Sequence, residues 1–212
     1  MTTPAANSPN QLADVDTVDG GSPPLAGRPA RLIEGMAVLD RAAPVLARVT
    51  APFARPPLDR VLLGRDVGHA VHPMLTDLPI GFWTSAVTLD VCGGTGSRES
   101  ATRLMGLGVL AFFPTAWTGW AEWHSLSRPE SRVGTVHGVL NGAAMALFSG
   151  SWAARRSGHR RAGVGLGLAG TVAASAAGYL GGHLTGVRKA GSRDEVYEQD
   201  GVGPSLARPS AR

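Results

Sequence analysis

One cysteine is all that this sequence has. With Cys92 alone, no intrachain disulfide, CxxC redox pair or multi-cysteine zinc or iron–sulfur site can form. Charge is scarce as well: 17% of residues are charged, against about 25% in ordinary soluble domains. Lysine is almost missing, Lys189 being the only one, so the net charge of +4 rests on arginine. The arginines flank apolar runs and do not line one face, which suits anionic lipid headgroups better than nucleic acid. No nucleic-acid partner is expected. The opening stretch "MTTPAANSPNQLADVDTVDGG" lacks the apolar core of a signal peptide, so membrane entry is expected through internal helices. A P-loop lysine, a nucleophile elbow and a metallohydrolase motif are all missing, which speaks against nucleotide binding and hydrolysis.

What is present is apolar length. Four segments, 74–92, 104–123, 133–154 and 163–185, are each about 20 residues long, enough at 1.5 Å per residue to cross a ~30 Å hydrocarbon core. Loops of roughly ten residues make neighbouring segments antiparallel. The expected fold is therefore all-α, a four-helix transmembrane bundle over 67–190. A Pro-, Gly- and Ser-rich disordered tail is expected over 1–30, an amphipathic juxtamembrane segment over 31–66 and a flexible C-terminal tail over 191–212. Within 31–50, Leu32, Met36, Leu39, Ala43 and Leu46 keep helical spacing, and Pro44 is expected to end or kink that helix. Gly170, Ala174, Gly178 and Gly182 recur every fourth residue, with Gly163 and Gly167 before them, a smooth stripe for close helix packing. Trp117, Trp120 and Trp123 suit the membrane–water interface.

The antiparallel order brings one set of helix ends together. His69, His72, Asp77, Glu122, His124, His137, Asn141 and His183 are expected at one face, with His159 alone opposite in "RRSGHRR". His137 and Asn141, four residues apart, share a helix face. Asp77, about one and a half turns beyond His72, is expected to face the interior and find a histidine partner. Pro79 leaves the carbonyl of Leu75 without its amide donor and invites another donor there. Three readings of this cluster stand: axial imidazoles of a b-type haem, which needs no cysteine; a nitrogen and oxygen set for a metal ion; or a structural, proton-handling network. The candidate cofactor ligands are His72, His137 and His183. Asp77 and Glu122 would orient them, with Asn141 as a hydrogen-bonding neighbour.

The runs "GHAVHPMLTDLPIGFWTSAVTLD", "GLGVLAFFPTAWTGWAEW", "RVGTVHGVLNGAAMALFSGSWAARR" and "GYLGGHL" resemble the bacterial membrane family called domain of unknown function 2231. The resemblance covers about residues 60–190. It rests on the HP..TD.PIG opening, the His and Asn of the third helix and the GGHL ending. It implies a four-helix integral membrane domain. Some relatives carry a Rieske iron–sulfur domain after the fourth helix, which implies membrane electron transfer and supports the haem reading. This chain has no cysteine after Gly186, so it holds no such cluster there. Glu122 stands where the family usually has Asp, and Ala70 and Val71 where relatives often have Pro and Leu; no titratable group is lost.

The function expected is thus that of a multi-pass bacterial inner-membrane protein whose histidine-rich end supports a haem or metal cofactor in electron transfer. The alternatives are a non-enzymatic scaffold or assembly protein and a small transporter or proton-handling protein. The expected partners are the lipid bilayer, a redox protein and a further copy of the chain. The arginine-rich loop holding Arg155, Arg156, Arg160 and Arg161 favours the cytoplasm for the face opposite the histidines.

Overall fold

The computed structural model describes residues 24–191. Most of the tail expected over 1–30, and nearly all of that expected over 191–212, lies outside the described residues. Among them the chain is all-helical, with no strand. Three short helices come first: α1 (Arg28–Gly35), α2 (Ala43–Thr50) and α3 (Leu58–Leu62). Four long ones follow: α4 (His72–Cys92), α5 (Arg98–Trp123), α6 (Arg128–Arg156) and α7 (Arg160–Gly182), the last continuing into a π-turn over His183–Val187. The segment expected as one helix over 31–50 is broken by a 3-10 stretch at Ala37–Arg41, and Pro44 sits in the first turn of α2. Proline is tolerated there because the first-turn amides have no intrahelical acceptor. Pro29, Pro73 and Pro129 hold the same place in α1, α4 and α6. A capping box of Ser127 and Glu130 starts α6. After α6, Gly158 takes φ 82° in the left-handed region, which lets the chain reverse into α7.

The long helices pair as two hairpins, α4 with α5 and α6 with α7, and contacts of α5 with α6 and α4 with α7 join them. The two hairpins are copies of one plan. On α4 and α6, His72, Pro79, Trp83, Ala86 and Asp90 stand at one constant offset from His137, Ala144, Phe148, Ser151 and Arg155. On α5 and α7, the buried residues Ala101, Met105, Gly108, Thr115, Thr118, Ala121 and Glu122 correspond one by one to buried Gly163, Gly167, Gly170, Ala177, Leu180, His183 and Leu184. Corresponding residues also meet across the middle. Trp83 stacks on Phe148 at 4.1 Å, His72 faces His137 at 6.5 Å between ring centroids, and Asp90 is salt-bridged to Arg155. Contacts between equivalent positions are the mark of a two-fold relation. Since α4 and α6 both run from their histidine toward their member of the ion pair, that axis runs along the helices.

Glycine makes the close approach possible. A Cβ on Gly108 would come within 2.3 Å of the Trp83 indole, and one on Gly170 within 2.9 Å of the Phe148 ring. Each hairpin thus seats an aromatic ring of its first helix on a bare patch of its second. Of the four-residue stripe expected on α7, Gly170 is buried but Gly178 and Gly182 are exposed. A strict four-residue repeat drifts around a helix of 3.6 residues per turn, so the buried line runs through Gly163, Gly167, Gly170 and Ala177.

At the end away from the histidines, Arg155 forks onto Asp90, Nη1 donating to Oδ1 at 2.8 Å, and both side chains are 1% exposed. Arg160 donates to the same carboxylate at 2.9 Å, and Arg155 Nε donates to Ser151 Oγ at 3.1 Å. One carboxylate thereby ties α4, α6 and α7 together. At the histidine end the short N-terminal elements cover the bundle of helices. Ala30 packs with Val133, Leu180 and Leu184, while Phe53, Leu62 and Leu63 pack on Ala121. Arg132 fastens this layer, donating twice to Asp40 at 2.8 Å and once to the carbonyl of Glu34 at 2.6 Å. The Arg132 hydrogen bonds hold the Asp40 carboxyl below its ordinary value, against a smaller opposing effect of burial.

Among the described residues, two stretches can cross a membrane by length and composition, Thr95–Trp123 and Arg160–Val187. The expectation of four such spans is met in part. α4 carries Asp77, Pro79 and Asp90, and α6 carries His137, Asn141 and a run of glycines and serines, which dilute their apolar character.

Candidate functional site

The site is built on the histidine end of both hairpins. His72 Nδ1 donates to the carbonyl of Thr115 at 2.9 Å, and His137 Nδ1 donates to that of Ala177 at 2.8 Å. Thr115 and Ala177 are corresponding residues. One turn further along, each ring lies against a glycine: a Cβ on Gly119 would be 2.7 Å from His72 Cε1, and one on Gly181 would be 3.0 Å from His137 Cε1. The same seat is therefore made twice. Since a carbonyl oxygen only accepts, each Nδ1 carries the proton and each Nε2 of the neutral ring keeps a lone pair. Next to His72, the Leu75 carbonyl left free by Pro79 accepts from Thr115 Oγ1 at 3.0 Å, so α5 replaces the lost helix bond.

Between the hairpins lies a cavity of about 200 Å³, lined mainly by apolar groups. Its polar lining comes from His72, Glu122, Trp123, His137 and Asn141, with Trp120 and Thr185 at the rim, the Thr185 hydroxyl donating to the Gly181 carbonyl. Asn141 Nδ2 donates to His137 Nε2 at 3.0 Å, which leaves Asn141 Oδ1 as an acceptor. Glu122 is 8% exposed, and its Oε1 and the Nε1 of Trp123 are buried without a hydrogen-bond partner among the described residues. Such atoms lose their hydration and gain nothing back, so each calls for an explanation.

The residues singled out in the sequence divide accordingly. His72, His137, Glu122 and Asn141 come together around the cavity. His183 is buried but does not line it; its Nε2 meets Glu34 Oε1 at 2.9 Å and pins α1 to the end of α7. Asp77 lies on the exposed side of α4, away from the histidines it was expected to join. His124 Nε2 donates to Thr50 Oγ1 at 2.7 Å, the hydroxyl itself donating to the Leu46 carbonyl. His69 is exposed, with Nδ1 3.0 Å from the Ala70 carbonyl. Trp117 and Trp120 pack with Phe53 on the outside, and Trp120 and Trp123 both line the cavity. Among the described residues no group of three or more His, Cys, Asp or Glu is placed to hold a metal ion.

Sequence reasoning passed over Trp123 as a cavity residue, the seats at Gly119 and Gly181, and the Asp90–Arg155 pair. A signal for all but the tryptophan lies in the repeated spacings. His to aromatic to charge recurs on α4 and α6, and glycine to glycine recurs on α5 and α7.

The profile of a family described as predicted membrane protein, DUF2231, matches residues 68–193, more than half of the chain and the whole of the cavity. No curated protein and no solved structure matches the chain.

Proposed function

The chain belongs to the DUF2231 family of predicted membrane proteins, and from that premise we propose that it is a ligand-binding protein of the bacterial inner membrane, crossing it four times. The outer faces of the long helices support four crossings: Ile80, Leu110, Phe113, Val139, Leu168 and Val172 are all exposed. Helices that are apolar outside as well as inside belong in lipid, where the backbone finds its partners within the helix. α4 and α6 are acceptable in that setting because Asp90 and Arg155 are buried against each other, the exposed Thr84 and Thr88 donate to carbonyls of their own helix, and exposed Asp77 lies in the second turn of α4, close to its end.

One observation carries the binding reading. An apolar-walled cavity is lined by two imidazoles of fixed tautomer and by Glu122 and Trp123, whose buried carboxyl oxygen and indole N–H lack partners among the described residues. Apolar walls with a few converging polar groups are the common form of a small-molecule site. The position matching Glu122 in the other hairpin is Leu184, so helix packing does not call for a carboxyl here. We therefore expect Glu122→Leu to raise the unfolding free energy of the ligand-free protein by about 1–3 kcal/mol, measured by thermal or denaturant unfolding in detergent, and to abolish ligand retention. A clear loss of stability would mean that the carboxyl is structural. The scaffold reading would then take its place.

Haem remains the second reading, favoured by the facing of His72 and His137 with ring planes 85° apart. The cavity, at about 200 Å³, is below the 300–1,000 Å³ usual for sites of drug-sized ligands, and Asn141 occupies His137 Nε2. Both favour a smaller guest. An absorption spectrum and metal analysis of the purified protein separate the two: a Soret band lost in His137→Ala would replace the small-ligand reading with a membrane cytochrome.

A further inference from the structure

The cavity's hydrogen-bonding balance narrows the choice of guest. Three groups offer acceptors: His72 Nε2, Glu122 Oε1 and Asn141 Oδ1. Two indoles line the cavity: Trp123, whose buried Nε1 is a donor without a partner among the described residues, and Trp120, which lies at the exposed rim. A guest that satisfies them must bring hydroxyl hydrogens and needs only one strong acceptor. Its body must be apolar, to suit walls that include Phe112, Ala116 and Leu184. It must also be small, since the cavity holds about 200 Å³. Gly138 and Gly142 line the cavity from α6 with open space where a Cβ would stand, and Gly119 and Gly181 are already covered by the imidazoles. Gly138, Gly142 and Trp120 are exposed at the outer surface, so the cavity borders the region that lipid would fill.

We propose that this cavity binds the ring of a lipid quinol, an aromatic diol, in preference to the corresponding quinone. The proposal rests on the ligand-binding reading above and deepens it. In the diol form one hydroxyl donates to His72 Nε2 and another to Glu122 or Asn141, while the Trp123 indole donates to a ring oxygen. The quinone has carbonyl oxygens only. It can accept from Trp123 but leaves the three acceptors unpaired in an apolar site. Sites built around a hydroxyl discriminate strongly against analogues that lack it, because their own buried polar groups then go unsatisfied. His72 has this preference built in: its Nδ1 proton is committed to Thr115, so Nε2 cannot donate to a quinone oxygen while the ring stays neutral. His137 cannot substitute for it, because Asn141 already occupies its Nε2.

The test uses the full chain in nanodiscs, without oxygen, with a short-tailed benzoquinol and its benzoquinone as probes, each titrated calorimetrically. The quinol is expected to bind about tenfold or more tightly than the quinone. Trp123→Phe removes the buried donor and should weaken both forms several-fold. Glu122→Gln replaces the carboxyl with an amide that always carries donors, and should narrow the preference by improving the quinone. His72→Ala should narrow the preference, with Glu122 and Asn141 remaining as acceptors; should that variant fail to fold, Glu122→Gln still decides the matter. Equal binding of the two forms, or tighter binding of the quinone, would overturn the quinol assignment and leave the cavity a site for another guest. Binding of neither probe, together with a destabilised Glu122→Leu, would bring down the ligand-binding reading as well.

Discussion

The α4–α5 hairpin and the α6–α7 hairpin place the same kinds of group at the same stations, and their differences show which stations carry chemistry. Shared between them are the imidazole bonded to a carbonyl, the glycine beneath it, the large aromatic ring and the second glycine beneath that. These are matters of volume and backbone approach: ring and bare helix fit together in both copies because neither can change alone. The unshared stations differ in charge or hydrogen bonding. Glu122 corresponds to Leu184, Ala121 to His183, Thr76 to Asn141, and Asp90 to Arg155. Each of these asymmetries has a use in the structure. Glu122 and Asn141 equip the cavity, His183 holds α1, and Asp90 and Arg155 hold each other. Symmetric stations make the frame, and asymmetric ones give it a polar direction.

The comparison can be broken most severely at the ion pair. Arg155→Ala leaves a nearly inaccessible carboxylate with only Arg160 beside it, and removal of one partner from a buried pair costs about 3–5 kcal/mol. Thermal unfolding in detergent should register this as the largest loss of any single change described here. Exchanging the two residues, Asp90→Arg with Arg155→Asp, should recover part of it. Full recovery would not occur, because Arg160 donates to the carboxylate only where it now stands on α4. An exchange no better than the single variant would argue that the two positions are not equivalent.

The glycine seats sharpen the comparison by degree. A Cβ at Gly119 would press on His72 at 2.7 Å, while one at Gly181 would meet His137 at 3.0 Å. Overpacking costs about 1–3 kcal/mol, and replacing a helical glycine by alanine returns up to about 1 kcal/mol. Gly119→Ala is therefore expected to destabilise, Gly181→Ala to be close to neutral, and Gly178→Ala, whose Cβ meets nothing, to stabilise slightly. Unfolding of the three variants side by side tests the order; a larger loss at Gly181 than at Gly119 would contradict it.

The smallest effect concerns the N-terminal layer on the α6–α7 side. Asp40 has its carboxyl value lowered by Arg132 in the fold, so its contribution is complete above the ordinary carboxyl value of 3.8 and fades as pH falls through the lower folded value. Asp40→Asn should flatten that acid-side portion of a stability-versus-pH curve and leave the curve near neutral pH with the same slope. A changed slope near neutral pH would assign the effect to another group.

The long helices were legible because apolar length and short connections constrain a chain strongly. The four expected segments all fall inside α4 to α7, with the π-turn completing the fourth. The convergence of His72, His137, Glu122 and Asn141 followed from antiparallel order alone. Asp77 was placed wrongly because spacing along one helix does not fix which side its neighbours cover. His183 was drawn to Glu34, a residue of α1 whose docking no periodicity in the long helices announces. The four-residue glycine repeat misled in another way: it is regular in sequence, but regularity at four is not regularity at 3.6. The duplication stayed hidden because few of the matched positions keep the same residue, His72 with His137 and Gly119 with Gly181 among them. What repeats is the burial pattern, and that becomes visible only with the contacts.

The seat of ring on glycine has an ancestral consequence. A single hairpin built this way exposes an imidazole edge and one face of an aromatic ring, and a second copy of itself covers both. Two identical hairpins would make a symmetric dimer, obliged to carry any acidic group twice or not at all. Fusion into one chain lifts that obligation. It lets one copy specialise as an acceptor of hydrogen bonds while the other keeps the plain apolar wall.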